Sequence, residues 1–270
     1  MFKIPELWGV INLTPDSFYA GSRACADEAV RRAAKMFEDG AAVVDVGAES
    51  TRPGALDISA EAQLKVLITF LQNCRRVLGE AVMAQISVDT RDIKVMHQVA
   101  EAGVGFINDV SGGSEAVYAL IAASGVGYVL MHTQGSPQNM QAAPQYADVV
   151  GEVESYLITK SSQLLTAGVQ AERIIWDTGI GFGKTVEHNL RLIAAHRRLQ
   201  GHGYRVLAGV SRKSFIGKIL AQNDPADRLM GTLAAQSYLT LRGCDILRVH
   251  DVKEMADCLK ILAAIREHEL

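Results

Sequence analysis

The chain has 270 residues, 49% hydrophobic and 21% charged, a composition that suits a globular domain with a sizeable core. Its 27 Lys and Arg stand against 30 Asp and Glu, and a formal charge of −3 excludes an electrostatic footprint for nucleic acid or an anionic membrane. Cys25, Cys74, Cys244 and Cys258 form no C-x-x-C pair, and no apolar run reaches bilayer-spanning length or makes a secretory leader, so reduced cysteines in a cytoplasmic protein are expected.

One plan recurs along the chain: a short apolar run, a polar cluster at its C-terminal end, then a helical stretch. Residues 7–11 run into Asn12 and a loop holding Asp16 and Phe18. A helix is predicted over 27–39, with Ala29, Ala33, Met36 and Phe37 on one face and Gly40 as its stop. Residues 42–46 run into a loop with Thr51, Arg52 and Pro53, after which Ser59 is placed to cap a helix carrying Leu64, Leu67, Ile68 and Leu71. The third run, 84–88, ends in Asp89-Thr90-Arg91, and the fourth, 104–107, in Asn108-Asp109. The fifth, 127–131, ends at His132 and a long polar loop, followed by a helix over 148–167 closed by Gly168. The sixth, 174–176, stops at Asp177 before the alternating Gly179, Gly181 and Gly183. The seventh, 204–210, ends in Ser211-Arg212-Lys213, and the eighth, 245–249, carries Arg248 into His250-Asp251.

Eight such units in this length predict an α/β fold, a (β/α)8 TIM barrel forming one domain over residues 1–270, with the polar clusters on the rim where such barrels build their sites. A doubly wound open sheet is the alternative; it too would put ligands at strand ends.

The stretch 174–185 looks like a phosphate-cradling loop, but that pattern needs a glycine five residues before Gly183, and Thr178 stands there. The rim offers other chemistry. Asp89, Asn108 and Asp177 supply acceptors and donors suited to a flat heterocycle with several N–H groups. Lys213, Arg248 and His250 suit an anion near strands seven and eight. Asn12 and Asp16 are oxygen ligands for a hard cation such as Mg²⁺. No nucleophile elbow, H-E-x-x-H or cysteine with a placed histidine occurs, so the site reads as built for binding and charge stabilisation. Other residues have structural readings. Asp109 and Asp251 read as helix N-caps, Asp45 as a strand-interior structural residue, and His97, His196, His202 and His268 as surface residues. His132 admits both a satisfied rim histidine and a site residue, and Lys184 yields to Lys213 as the lysine of the site.

The clusters at 11–18, 49–54, 87–90, 107–109, 131–137, 179–184, 211–217 and 248–251 occur in one order that resembles the dihydropteroate synthases, of the pterin-binding barrel family, over essentially the whole chain. The resemblance implies a transferase of folate biosynthesis joining 4-aminobenzoate to (7,8-dihydropterin-6-yl)methyl diphosphate, with Mg²⁺ as cofactor, a homodimeric assembly and sulfonamides as inhibitors. It implies that Asp89, Asn108, Met131, Asp177, Phe182 and Lys213 hold the pterin, with Asp89, Asp177, Lys213 and Arg248 as the catalytic set. Asn12 would bind Mg²⁺ on the diphosphate, with Thr51, Arg248 and His250 on the phosphates, and Phe18, Thr51, Arg52, Pro53, Ser211 and Lys213 would frame the aminobenzoate. Two positions depart from the family's pattern. Thr178 replaces the usual proline, which loosens the turn after Asp177 slightly, and Ala48 replaces a frequent glycine; neither removes a ligand. The changes after the sixth strand that mark sulfonamide-resistant versions are absent, so sensitivity is expected. Among the alternatives, corrinoid-dependent methyltetrahydrofolate methyltransferases have no diphosphate to hold, which leaves Thr51, Arg52, Ser211, Lys213, Arg248 and His250 unexplained. A non-catalytic pterin-binding paralogue would have lost Asn12, Asp177, Lys213 or Arg248. A phosphosugar barrel would leave Asp89, Asn108 and Asp177 without a shared purpose.

Overall fold

A computed structural model of the chain describes residues 3–13, 23–49, 58–135, 140 and 144–268. Eight strands, β1 (Glu6–Asn12), β2 (Val43–Gly47), β3 (Ile86–Asp89), β4 (Phe106–Asp109), β5 (Gly127–Met131), β6 (Ile174–Asp177), β7 (Arg205–Ala208) and β8 (Ile246–Val249), pair in chain order, all parallel. β8 closes on β1, with Trp8 beside Arg248. Closure in sequential order removes the open-sheet alternative.

Ten α-helices among the described residues surround the strands: α1 (Arg23–Glu38), α2 (Ala60–Leu78), α3 (Ile93–Glu101), α4 (Glu115–Ser124), α5 (Val149–Thr166), α6 (Val186–Ala194), α7 (His196–Gln200), α8 (Ser214–Leu220), α9 (Leu229–Leu241) and α10 (Val252–Arg266). Their ends follow local chemistry. Ser59 accepts from the Ala62 amide and Asp148 from the Val150 amide, so α2 and α5 start where an orphan N–H group finds an oxygen. Thr185 and His188 form a reciprocal cap at the start of α6, fixing the exit of the loop after β6. No described helix is long and apolar enough to cross a membrane.

The period of two along each strand sorts side chains between two cores. Val44, Val46, Ile86, Val88, Leu130, Trp176 and Val206 face outward into the helix-covered core. Trp8, Val43, Val129, Ile175, Leu207 and Ile246 face inward with Phe106 and plug the barrel. The Trp8 and Phe106 rings meet at 4.8 Å, and Trp8 is wholly buried, so truncating it to alanine would cost about 3–5 kcal/mol. Two residues beyond the plug along four of its strands come Asp45, Asn108, Asp177 and Arg248. The same two-residue step that buries the plug aims these polar groups into the mouth.

Three sequence readings change. Asp109 caps no helix: its carboxylate accepts from the Ser111 amide at 2.7 Å and from the Tyr128 hydroxyl at 2.7 Å, while Ser114 caps α4. Gly112 and Gly113, at φ 76° and 70°, insert a turn that moves the helix start away from the strand. Asp251 sits at the N-cap position of α10, but its carboxylate is taken by both arms of Arg212 at 2.8 and 2.6 Å. His196 is buried rather than exposed, and burial pulls its pKa down to about 4, so the ring is neutral.

Candidate active site

The floor of the mouth is a linked set of charges. Arg248 donates from Nε to Asp45 Oδ2 at 2.6 Å and from Nη2 to Asp89 Oδ2 at 2.8 Å. Asp45 Oδ2 also accepts from Asn108 Nδ2 at 3.0 Å. A carboxylate on the amide nitrogen fixes which way Asn108 points, and its Oδ1 is left buried without a partner. A buried carbonyl oxygen with no donor is an unmet cost that a ligand N–H would relieve. Burial raises Asp89 to about 7 against the pull of Arg248, with Asp45 and Asp109 adding to the rise. Burial also works against the Arg248 charge, but Asp45 and Asp89 outweigh it and hold the guanidinium above its ordinary range.

Asp177, at the end of β6, forms the side wall. Its Oδ1 accepts from the Gly179 amide at 2.7 Å, and Phe182 N–H donates to the Gly179 carbonyl at 3.0 Å. The turn after Asp177 is thus closed by its own hydrogen bonds, with Thr178 buried inside it. Burial raises the Asp177 pKa, opposed first by Lys213 and then by the Gly179 amide. Lys213 Nζ donates to the Ile180 carbonyl and lies 4.8 Å from the centre of the Phe182 ring. A Cβ on Gly181 would come within 3.0 Å of Lys213 Cδ, so the bare backbone there gives the lysine its passage. Burial lowers Lys213 to about 8, with Asp177 opposing.

Beside this wall lies a lysine that the sequence reading set aside. Lys184 is 3% exposed, and its Nζ reaches His132 Nδ1 at 3.1 Å, the His132 carbonyl at 3.3 Å and the Phe182 carbonyl at 2.9 Å. Burial lowers Lys184 to about 7, with Asp177 opposing, and burial together with Lys184 lowers His132 to about 3. His132 is therefore a neutral ring whose Nδ1 accepts from Lys184 Nζ. Met131, on the preceding strand position, is buried at 1% exposure.

At the β7–β8 side, Ser211 Oγ lies 2.9 Å from His250 Nδ1 and accepts from the His250 amide at 3.2 Å. Asn12, at the end of β1, has an exposed side chain. Glu49 and Arg91, a bidentate pair at 3.2 and 2.9 Å, join the ends of β2 and β3. The structure thus brings Asp89, Asn108, Asp177, Lys213 and Arg248 together, with Phe182 against Lys213. Asp16, Phe18, Thr51, Arg52 and Pro53 lie outside the described residues.

Sequence reasoning missed Asp45 as part of the site. The signal was available: in a strand reading Val43-Val44-Asp45-Val46, buried on both faces, the acid shares the inward parity of Val43 and needs a partner inside the barrel. It also underrated Lys184, whose role rests on loop carbonyls that no side-chain pattern announces.

The chain matches the family described as pterin binding enzyme over residues 8–250. Dihydropteroate synthase of Escherichia coli K12 is 38% identical over 262 residues, covering 96% of this chain and 91% of that protein. The structure of Xanthomonas albilineans dihydropteroate synthase with 4-aminobenzoic acid superposes with a TM-score of 0.88 at 36% identity, covering 98% of this chain and 94% of that one. The structure of Yersinia pestis dihydropteroate synthase with a sulfonamide drug also superposes with a TM-score of 0.88, at 33% identity, covering 99% of this chain and 96% of that one. A family match of this extent, on a closed barrel with its polar groups at the strand ends, means that the chain belongs to the dihydropteroate synthases of the pterin-binding enzyme family.

Proposed function

We propose that this chain is a transferase joining 4-aminobenzoate to (7,8-dihydropterin-6-yl)methyl diphosphate, giving 7,8-dihydropteroate and diphosphate. The observation that carries the reading is the buried, unpartnered Asn108 Oδ1, in a mouth that also receives the buried Asp177 carboxylate from β6. Such acceptors fit the N–H groups of a pterin edge, and Lys213, near enough to Asp177 and Asp89 to feel their charge, faces the Phe182 ring. In the reaction the methylene C–O bond breaks, and its electron pair leaves with diphosphate. The resulting cation is delocalised into the pterin, where Asp177 and Asp89 stabilise it. The amine lone pair of 4-aminobenzoate then forms the C–N bond, and the amine loses a proton. No residue has to act as a nucleophile.

Arg248 spends Nε and one Nη on Asp45 and Asp89, so its contact with diphosphate falls to Nη1; His250 and Ser211 stand on the same side of the mouth. Among the described residues no three His, Cys, Asp or Glu side chains converge as metal ligands. Mg²⁺ keeps most of its waters and needs few protein oxygens. Asn12 would hold it together with the diphosphate, where the ion would supply charge stabilisation for the leaving group. Phe18, Thr51, Arg52, Pro53, Ser211 and Lys213 would frame the aminobenzoate, and Met131 would pack near the pterin ring. A homodimer belongs to the same reading, supported by the exposed Met230, Leu241, Ile261 and Ile265 of α9 and α10. Mixing protein, Mg²⁺, the pterin diphosphate and 4-aminobenzoate should yield dihydropteroate and diphosphate; no product from folded protein refutes the assignment. Sedimentation at a monomer mass would refute the dimer.

A further inference from the structure

We infer that Lys184 is a positioning residue for the pterin end of the site. Its ammonium group ties the loop after β5 to the loop after β6 and thereby sets where Phe182 stands against Lys213. The inference rests on the proposed reading of the mouth as a pterin site.

A lysine at 3% exposure has given up its water, and an apolar chain of equal length would fill the same space without that cost. What Lys184 adds is a donor head with three N–H groups in its charged form, and three acceptors lie within reach. Two are the Nδ1 and carbonyl of His132, the residue after β5; the third is the Phe182 carbonyl in the loop after β6. The neutral His132 ring keeps a lone pair on Nδ1 for the ammonium. Two further bonds join the same loops away from the Phe182 carbonyl: His132 N–H to the Asp177 carbonyl at 3.1 Å at their base and the Tyr146 hydroxyl to the Gly183 carbonyl at the outer edge; Gly179 bonds to Asp177 within the loop and Gly181 to Asn189 Oδ1 on α6. Among the described residues, Lys184 is the side chain that ties the loop after β5 to the Phe182 carbonyl itself.

The tie bears on the site because both neighbours of Lys213 lie in the loop it holds. Lys213 Nζ donates to the Ile180 carbonyl and faces the Phe182 ring. The backbone is cut to admit the tie. Gly179 has φ 64°, and a Cβ there would lie 1.8 Å from the His132 carbonyl oxygen and 3.3 Å from Lys184 Nζ. If the loops part, Phe182 and Ile180 move together, and Lys213 loses both contacts at once.

The test is a double-mutant cycle on the full chain with Mg²⁺, pterin diphosphate and 4-aminobenzoate. Lys184→Met keeps the length and removes the donors. Its KM for the pterin diphosphate should rise about tenfold, with kcat changed by less than about threefold. Phe182→Leu should raise the same KM about tenfold in the parent but about threefold or less beside Lys184→Met, because the ring is already misplaced there. A lysine that only stabilises the fold would lower the melting temperature, while the two KM penalties multiplied. Penalties that multiply to within about twofold, or an unchanged KM in Lys184→Met, overturn the inference. If Lys184→Met does not fold, His132→Ala removes one of the three acceptors, and the same cycle with Phe182→Leu decides by the same two outcomes. A folded parent that forms no product fails at the first step and overturns the pterin reading itself. Product from the parent with independent penalties overturns the positioning role alone.

Discussion

Asp45→Ala removes the carboxylate from the barrel interior and tests how the floor is organised. Asp45 Oδ2 receives Arg248 Nε at 2.6 Å and Asn108 Nδ2 at 3.0 Å, with no water-exposed surface on the side chain. Each hydrogen bond to this carboxylate is worth about 1.5–3 kcal/mol, so losing both costs the site at least roughly 3 kcal/mol before offsets. Two offsets follow from the geometry. The buried Asp45 Oδ1 has no partner, so removing the charge relieves part of its desolvation, and Arg248 keeps Asp89 at 2.8 Å. A net loss of about 2 kcal/mol remains, equivalent to a rise of roughly thirtyfold in KM for the pterin diphosphate. The loss acts through Asn108, whose amide is then free to turn its nitrogen into the site. Asp89 should also ionise more readily, because the Asp45 charge is one of the groups raising it. Steady-state kinetics at saturating 4-aminobenzoate, with a thermal melt to show an intact fold, would measure the effect. A pterin KM within about twofold of the parent would mean that Asn108 and Arg248 are held by something other than Asp45.

Four further outcomes are expected. Asp177→Ala and Lys213→Ala should each weaken binding of the pterin about tenfold to a hundredfold by calorimetry, since each removes the opposite charge that most offsets the other's burial; unchanged affinity in both would remove them from the pterin site. Gly179→Ala should destabilise by about 2–4 kcal/mol, combining an unfavourable φ of 64° with a clash against the His132 carbonyl, and a denaturant midpoint equal to the parent's would contradict the loop geometry. His132 and His196 have folded pKa values lowered to about 3 and about 4 from 6.5, so between those values and 6.5 the unfolded chain binds more protons. Their contribution is complete above about pH 6.5 and is lost as pH falls towards 4 and 3; exchanging His196 for Gln should flatten the acid limb of a stability–pH curve, and an unaltered limb would argue against a neutral buried ring. A sulfonamide should compete with 4-aminobenzoate, as expected for a family that includes the Yersinia pestis enzyme solved with such a drug; turnover undiminished by saturating drug would refute an ordinary aminobenzoate pocket.

The alternation of eight apolar runs with helical stretches was enough to assign the barrel, because strand parity and helix caps are local properties. Asp89, Asn108 and Asp177 were legible as rim residues since each ends a run, and their meeting in one mouth follows once the strands close in order. Other features depended on closure itself. The place of Arg248 on the eighth strand suits a phosphate ligand, and closure adds two carboxylate partners 203 and 159 residues away in sequence. Asp45 reads as structural within its own strand, and the barrel turns it onto Asn108 across β3. Lys184 drew notice through a false phosphate motif, and its actual partners are two backbone carbonyls and a ring nitrogen on neighbouring loops. Sequence alone determined the order of elements and the side chains delivered to the rim. The tertiary structure decided which of those side chains spend their hydrogen bonds on one another and which, like Asn108 Oδ1, are left facing a ligand, because in a buried site pairing is set by distances between strands that the sequence does not contain.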